Sequence, residues 1–292
     1  IPHAKLRSLI GRGVTHTLCR DFNEATAAAH RREEALTAAG HPTLFLPSDP
    51  EHRANTGFGT TGMDSAHGLA TLLLDLEEHL GSGKVPGIGS DGHVSELRIP
   101  TSGGATYASC VGLQLALREN AAAGGRVGLI TAAYDAASPT LPNALSAGSP
   151  RHATEVEWQS AINGLAQPEV APGAWTLLEA SGALAPERLF PVTAQAAELA
   201  RMVIEADTGV RPEPAGAASV GSQLLLRLGA CAQGPRSGRE FRAHAADVLA
   251  ARLPGPVVRR ALDLLESCAG HPGAGGVPPV GARVYVVSGM AP

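Results

Sequence analysis

Six consecutive residues, Thr101-Ser102-Gly103-Gly104-Ala105-Thr106, combine hydroxyl side chains with residues of little or no bulk. A set of that kind suits an anion. Small residues let the backbone come close to a ligand, and the N–H groups that open a helix lack partners of their own. Those donors and the helix dipole favour a phosphate, the dipole contributing about 0.3–1 kcal/mol when exposed. The flanking residues show what must hold the turn. Residues 97–100 read as a short apolar strand. Residues 107–122 read as an amphipathic helix carrying Val111, Leu113, Leu115 and Leu117, and 127–130 as a second strand. Such a crossover demands a parallel sheet. The turn lacks the Lys-Ser/Thr ending of a Walker loop and the spacing of the three-glycine dinucleotide fingerprint. Tight packing between strand and helix accounts for its glycines equally well, so two readings stand: a phosphate cradle or a packed turn.

Composition removes several classes of function. A net charge of -4 with scattered arginines leaves no basic footprint for nucleic acid. The four cysteines, Cys19, Cys110, Cys231 and Cys268, stand far apart without a C-x-x-C pair, and no H-E-x-x-H occurs. They are expected to be idle thiols in a reducing compartment, with no metal bound. No run of 18 apolar residues and no signal-peptide pattern appears, so the expectation is a soluble, cytoplasmic protein without a membrane partner. Lysine is scarce: Lys5 and Lys84 are the only two.

The rest of the chain repeats the strand–helix rhythm of an α/β protein. A strand over 14–18 precedes a helix over 22–39 that Asp21 would cap and Gly40 would end. A further strand follows at 44–46. Leu69, Leu72, Leu73, Leu76 and Leu80 mark a helix over 64–80, and 81–91 is a glycine-rich loop. Helices are expected over 154–166 and 175–179. A strand at 189–192 leads into a helix capped by Thr193 and stopped by Gly209, and another helix spans 219–228. Residues 230–276 read as a surface elaboration, helical over 243–252 and 257–268. Residues 283–287 read as a buried strand.

In this order the segments resemble the fold-type II pyridoxal-phosphate enzymes, the superfamily of the tryptophan synthase β-chain, threonine and serine dehydratases, and threonine and cysteine synthases. Asp21-Phe22-Asn23-Glu24-Ala25 is similar to the family's opening "dydeA" helix. Pro47-Ser48-Asp49-Pro50 through Thr56-Gly57-Phe58-Gly59-Thr60-Thr61-Gly62-Met63-Asp64 is similar to its crossing between lobes. Glu213-Pro214-Ala215-Gly216-Ala217-Ala218 resembles "EPAGAA", and Val286-Val287-Ser288-Gly289 the terminal "vlSGgN". Residues 140–150 with Pro172-Gly173-Ala174-Trp175 are similar to the diaminopropionate ammonia-lyase branch. The resemblance covers nearly the whole chain and is weakest over 230–276.

The resemblance implies a two-lobed parallel-sheet α/β architecture, with residues 1–52 a remnant of the small lobe and 53–292 the large lobe carrying the phosphate loop. It implies pyridoxal 5'-phosphate as cofactor. The phosphate would lie on Ser102, Gly103, Gly104, Ala105 and Thr106, and Ser288 with Gly289 would stand at the pyridine nitrogen. Glu213 would lie beside the ring. Each has a plainer alternative: Ser288 as a strand end, Glu213 as a helix N-terminal acid favoured by the dipole. A neutral hydroxyl at the ring nitrogen makes a weaker electron sink than a carboxylate, which suits β-elimination of a good leaving group. The implied reaction is ammonia-lyase or dehydratase chemistry on a small amino acid such as diaminopropionate, serine or threonine, in a homodimer. Threonine synthase-like phospho-lyase activity and a non-catalytic subunit or binding role are the alternatives. One departure is large. The family's "SFKxRGA" lysine and "SGN" loop have no counterpart here, and Lys5 and Lys84 stand in other contexts. The chain therefore reads as a fragment without the catalytic lysine, and no catalytic residue is assigned.

Overall fold

The computed structural model describes residues 22–41, 70–83, 87–119, 125–150, 160–232, 238–269 and 281–287, together with Thr17, Cys19, Val85, His152 and residues 154–156. Apart from Thr17, the expected strands at 14–18 and 44–46, the crossing at 47–64 and the proposed lobe boundary lie outside the described residues, as do Lys5, Lys84, Ser288 and Gly289.

Four parallel strands form one sheet in the order β3-β2-β1-β4: β1 (Val94–Pro100), β2 (Val127–Asp135), β3 (Leu189–Val192) and β4 (Arg283–Tyr285). Nine α-helices accompany it among the described residues. They are α1 (Phe22–Ala38), α2 (Leu72–Gly81), α3 (Ala105–Glu119), α4 (Thr140–Ala147), α5 (Pro172–Ala180), α6 (Ala194–Thr208), α7 (Ala218–Ala232), α8 (Gly238–Ala250) and α9 (Gly255–Ala269). Two apolar cores build up around the sheet, as a parallel sheet requires. Leu97, Ile99, Ile130 and Ala132 pack with Tyr107, Ala108 and Val111 of α3 and Leu178 of α5. Ala133 and Val192 pack with Ala196, Leu199 and Met202 of α6, Leu225 of α7, and Ala261 and Leu265 of α9.

Several local signals act as expected. Gly40 takes φ +77 just past α1. The Thr193 hydroxyl accepts from the Ala196 amide at 3.2 Å to start α6, and Gly209 ends it in the left-handed region. Others are corrected. Among the described residues of 154–166 there is no α-helix, only one 3₁₀ turn at Asn163–Leu165. The Thr154 amide donates to the Pro168 carbonyl at 2.7 Å, so its bond leaves the segment, and Asn163-Gly164 is a poor helix pair. Helix α4 is not among the expected helices, residues 134–150 being rich in Ser, Pro and Ala. Pro142 occupies the first turn, where no amide donor is needed. Residues 238–269 are no mere surface elaboration either: Leu249, Leu253, Ala261, Leu265 and Cys268 are buried in the second core. Strand β4 is half-buried rather than buried, since it pairs with β1 alone among the described strands.

Candidate functional site

The strand order sets the place of the site. From β1 the chain builds outward through β2 to β3, and β4 then returns to the other side of β1. The connections therefore change direction between β1 and β4, and open α/β sheets take their ligands beyond the carboxyl ends of the strands at such a reversal. The 101–106 turn leaves the sheet there. Its first residue is still tied to the sheet, the Thr101 amide donating to the Ala133 carbonyl at 2.9 Å.

The turn is shorter than expected, because α3 begins at Ala105 rather than Tyr107 and takes Ala105 and Thr106 into its first turn. The Ala108 amide donates to the Gly104 carbonyl at 2.8 Å. The amides of Ala105, Thr106 and Tyr107 consequently open the helix with no intrahelical acceptor. Gly103 and Gly104 adopt φ +61 and +83. A Cβ on Gly103 would meet the Glu169 carbonyl oxygen at 3.3 Å, and one on Gly104 would meet Leu141 Cδ2 at 3.1 Å and Leu178 Cδ1 at 3.5 Å. Protein, not an open cradle, fills the bare side of both glycines. The Gly103 carbonyl also accepts from the Ala171 amide at 3.1 Å. Backbone handedness and packing thus account for both glycines, and an anion must be argued from the polar groups. Those groups are present: the Thr101 and Ser102 hydroxyls are buried and have no hydrogen-bond partner. Buried hydroxyls normally find one. Two orphaned hydroxyls beside three helix-opening amides fit the oxygens of a phosphate.

Glu213 is half-buried at the turn before the 3₁₀ segment Ala215–Ala217 that leads into α7. Its carbonyl accepts from the Ala217 amide at 3.0 Å, so its backbone helps start that segment. Helix α7 reaches the same region of the sheet. The Ser219 hydroxyl donates to the Val286 carbonyl at 2.5 Å, and the Val286 amide donates to the Arg98 carbonyl at 2.9 Å. The β4 exit, two residues short of Ser288 in sequence, therefore lies alongside the end of β1.

A buried ionic cluster beneath this exit escaped the sequence reading. Glu96 and Arg98 alternate with Leu97 and Ile99 on β1, a pattern that reads as one wet face and one dry. Both are 0% exposed. Arg98 Nε and Nη2 donate to Glu96 Oε1 at 2.8 and 2.5 Å, and Nη1 donates to the Ser222 hydroxyl at 3.1 Å. The Thr131 hydroxyl donates to the same carboxylate oxygen at 2.6 Å, and Arg283 Nε of β4 lies 3.3 Å from Glu96 Oε2. The guanidinium stacks 3.6 Å above the Phe190 ring. Burial pulls the Arg98 guanidinium below its usual range while Glu96 pushes it back. Only the charged pair at i, i+2 inside an otherwise apolar strand could have signalled it.

Among the described residues no group of three His, Cys, Asp or Glu is placed to hold a metal ion, and no helix is long and apolar enough to cross a membrane. No family model matches the chain, and no curated protein resembles it in sequence. Solved structures do. Threonine deaminase isoform 2 of Solanum lycopersicum matches with TM-score 0.50 and 15% identity over 76% of this chain and 53% of its own. Serine racemase of Dictyostelium discoideum matches with TM-score 0.45 and 15% identity over 76% of this chain and 58% of its own. A fungal L-serine ammonia-lyase of Rhizomucor miehei matches with TM-score 0.43 and 15% identity over 77% and 52%. The chain spans about half the length of the solved structures it matches. Its fold is the parallel-sheet α/β architecture of the fold-type II class.

Proposed function

We infer that the chain binds pyridoxal phosphate as a member of the fold-type II superfamily, and that it belongs with the lyases acting on small amino acids. One observation carries the reading: two buried, unpartnered hydroxyls and a helix start lie at the carboxyl end of β1, where the strand order reverses. Thr101, Ser102 and the amides of Ala105–Tyr107 hold the phosphate without a side-chain cation. Ser288 and Gly289 serve the ring nitrogen, and Glu213 steadies the ring or the substrate. When bound, the coenzyme supplies an electron sink for β-elimination from diaminopropionate, serine or threonine. Lys5 and Lys84, the two lysines of the sequence, stand outside any counterpart of the family's "SFKxRGA" stretch, and this supports a second reading, a coenzyme-binding homologue without catalysis.

The test compares pyridoxine 5'-phosphate, which needs no lysine, with pyridoxine by equilibrium dialysis. The phosphate ester binds at least tenfold more tightly, and Ser102→Ala removes most of that difference. Equal affinity of the two compounds overturns the reading, and so does an unchanged Ser102→Ala. Borohydride trapping with pyridoxal phosphate, followed by peptide mapping, separates the two roles. No stoichiometric adduct at Lys5 or Lys84 supports the non-catalytic role; an adduct at Lys84 with ammonia release from diaminopropionate supports the lyase.

A further inference from the structure

A strap of five residues, Gln167-Pro168-Glu169-Val170-Ala171, runs beside the phosphate turn and into α5. Hydrogen bonds hold it along its length. The Gln167 carbonyl accepts from the buried Thr140 hydroxyl, and the Pro168 carbonyl accepts from the Thr154 amide at 2.7 Å. The Val170 amide donates to the Pro150 carbonyl at 3.2 Å. At the far end the Ala171 amide donates to the Gly103 carbonyl at 3.1 Å, which ties the strap to the turn itself. The two also touch on the bare side of Gly103. A Cβ built there would lie 3.3 Å from the Glu169 carbonyl oxygen and 3.5 Å from both Cβ and Cγ of Gln167. Covering Gly103 takes those two methylene carbons alone. The half-buried carboxamide that begins one bond further on makes no hydrogen bond to any described residue.

Of the five side chains in the strap, that of Gln167 alone carries an N–H donor. Pro168, Val170 and Ala171 have none, and the Glu169 carboxylate would oppose an anion. The donors already assigned to the phosphate all come from one stretch of chain: the Thr101 and Ser102 hydroxyls at the end of β1 and the amides that open α3. A carboxamide brought in by a second, separately anchored segment adds a hydrogen bond to a charged acceptor, the stronger kind. Resting on the reading that the turn binds a phosphate, we propose that Gln167 is a further ligand of that phosphate, its carboxamide nitrogen donating to a phosphate oxygen from across Gly103.

Equilibrium dialysis of the full chain against pyridoxine 5'-phosphate and pyridoxine tests this. Gln167→Met keeps both methylene carbons and removes the donor. It weakens binding of the ester about tenfold and leaves pyridoxine unchanged, as the loss of one hydrogen bond to a charged group requires. Gln167→Glu has the shape of the parent side chain but sets a negative charge beside the phosphate, so it weakens the ester further than Gln167→Met does. A role in packing alone would leave the ratio of the two affinities at its parental value in both variants, and that result overturns the proposal. Gln167→Glu binding the ester as tightly as the parent overturns it too. If thermal melting shows that Gln167→Glu has unfolded, Gln167→Met, which leaves the packed stem in place, decides alone. A parent that does not prefer the ester sinks the phosphate reading and this assignment together. A parental preference that Ser102→Ala lowers and Gln167→Met leaves intact removes Gln167 alone.

Discussion

Replacing Glu96 with leucine removes the counter-charge from a guanidinium that has no route to water. Arg98 is fully buried, gives two hydrogen bonds to Glu96 Oε1 and one to Ser222, and lies flat on Phe190. Breaking a buried pair from one side costs about 3–5 kcal/mol, because an uncompensated charge is left behind. Glu96→Leu falls at the upper end, since Arg283 loses the same carboxylate. Arg98→Met falls at the lower end, since Arg283 remains 3.3 Å from Glu96. The double variant strands neither charge of the pair, so it costs less than either single one. Urea unfolding followed by far-ultraviolet circular dichroism measures all three against the parent. Single losses below about 1 kcal/mol refute the argument; so does a double loss within about 0.5 kcal/mol of the sum, the margin for independent sites.

Gly104→Ala forces a side chain into φ +83 against Leu141, and lowers stability by about 1–3 kcal/mol in the same urea experiment. Burial pushes the Cys110 thiol up to about 12, so native protein at pH 8 leaves Cys110 unlabelled by iodoacetamide until denaturant is added, as peptide mapping will show. The Glu198 carboxyl is held below its usual range, first by hydrogen bonds from Arg201. Its contribution to stability is therefore complete above the ordinary glutamate value, about 4.3, and is lost as pH falls through the lower folded value. Glu198→Gln should flatten the acid limb of a stability profile below that point and leave its shape near neutrality unchanged.

Local chemistry was the readable part of this chain. Gly40, Thr193 and Gly209 act through their own φ or hydroxyl, so a few neighbouring residues suffice to place helix ends there. The strand–turn–helix–strand unit at the phosphate turn was legible for the same reason. What stayed hidden depends on distant partners. Glu96 and Arg98 look like solvent-facing residues until α7 is placed over them, and Ser222 sits far along the sequence. Pro142 reads as a breaker until its position in the first turn of α4 is known. The glycines of the candidate site were legible as glycines, but the reason for them was not: Glu169, Leu141 and Leu178 occupy their bare faces. The two orphaned hydroxyls, on which the anion argument now rests, could be named from the sequence but their lack of partners could not.

Strand β4 comes last among the described strands yet lies against β1, the earliest of them, with Arg283 beside Glu96. A polypeptide emerging from the ribosome must therefore carry the charged Glu96 until β4, about 190 residues later, arrives to share it. Assembly of this sheet waits until β4 has been made, and a chain stopped before Arg283 would leave Glu96 with one of its two cationic neighbours missing.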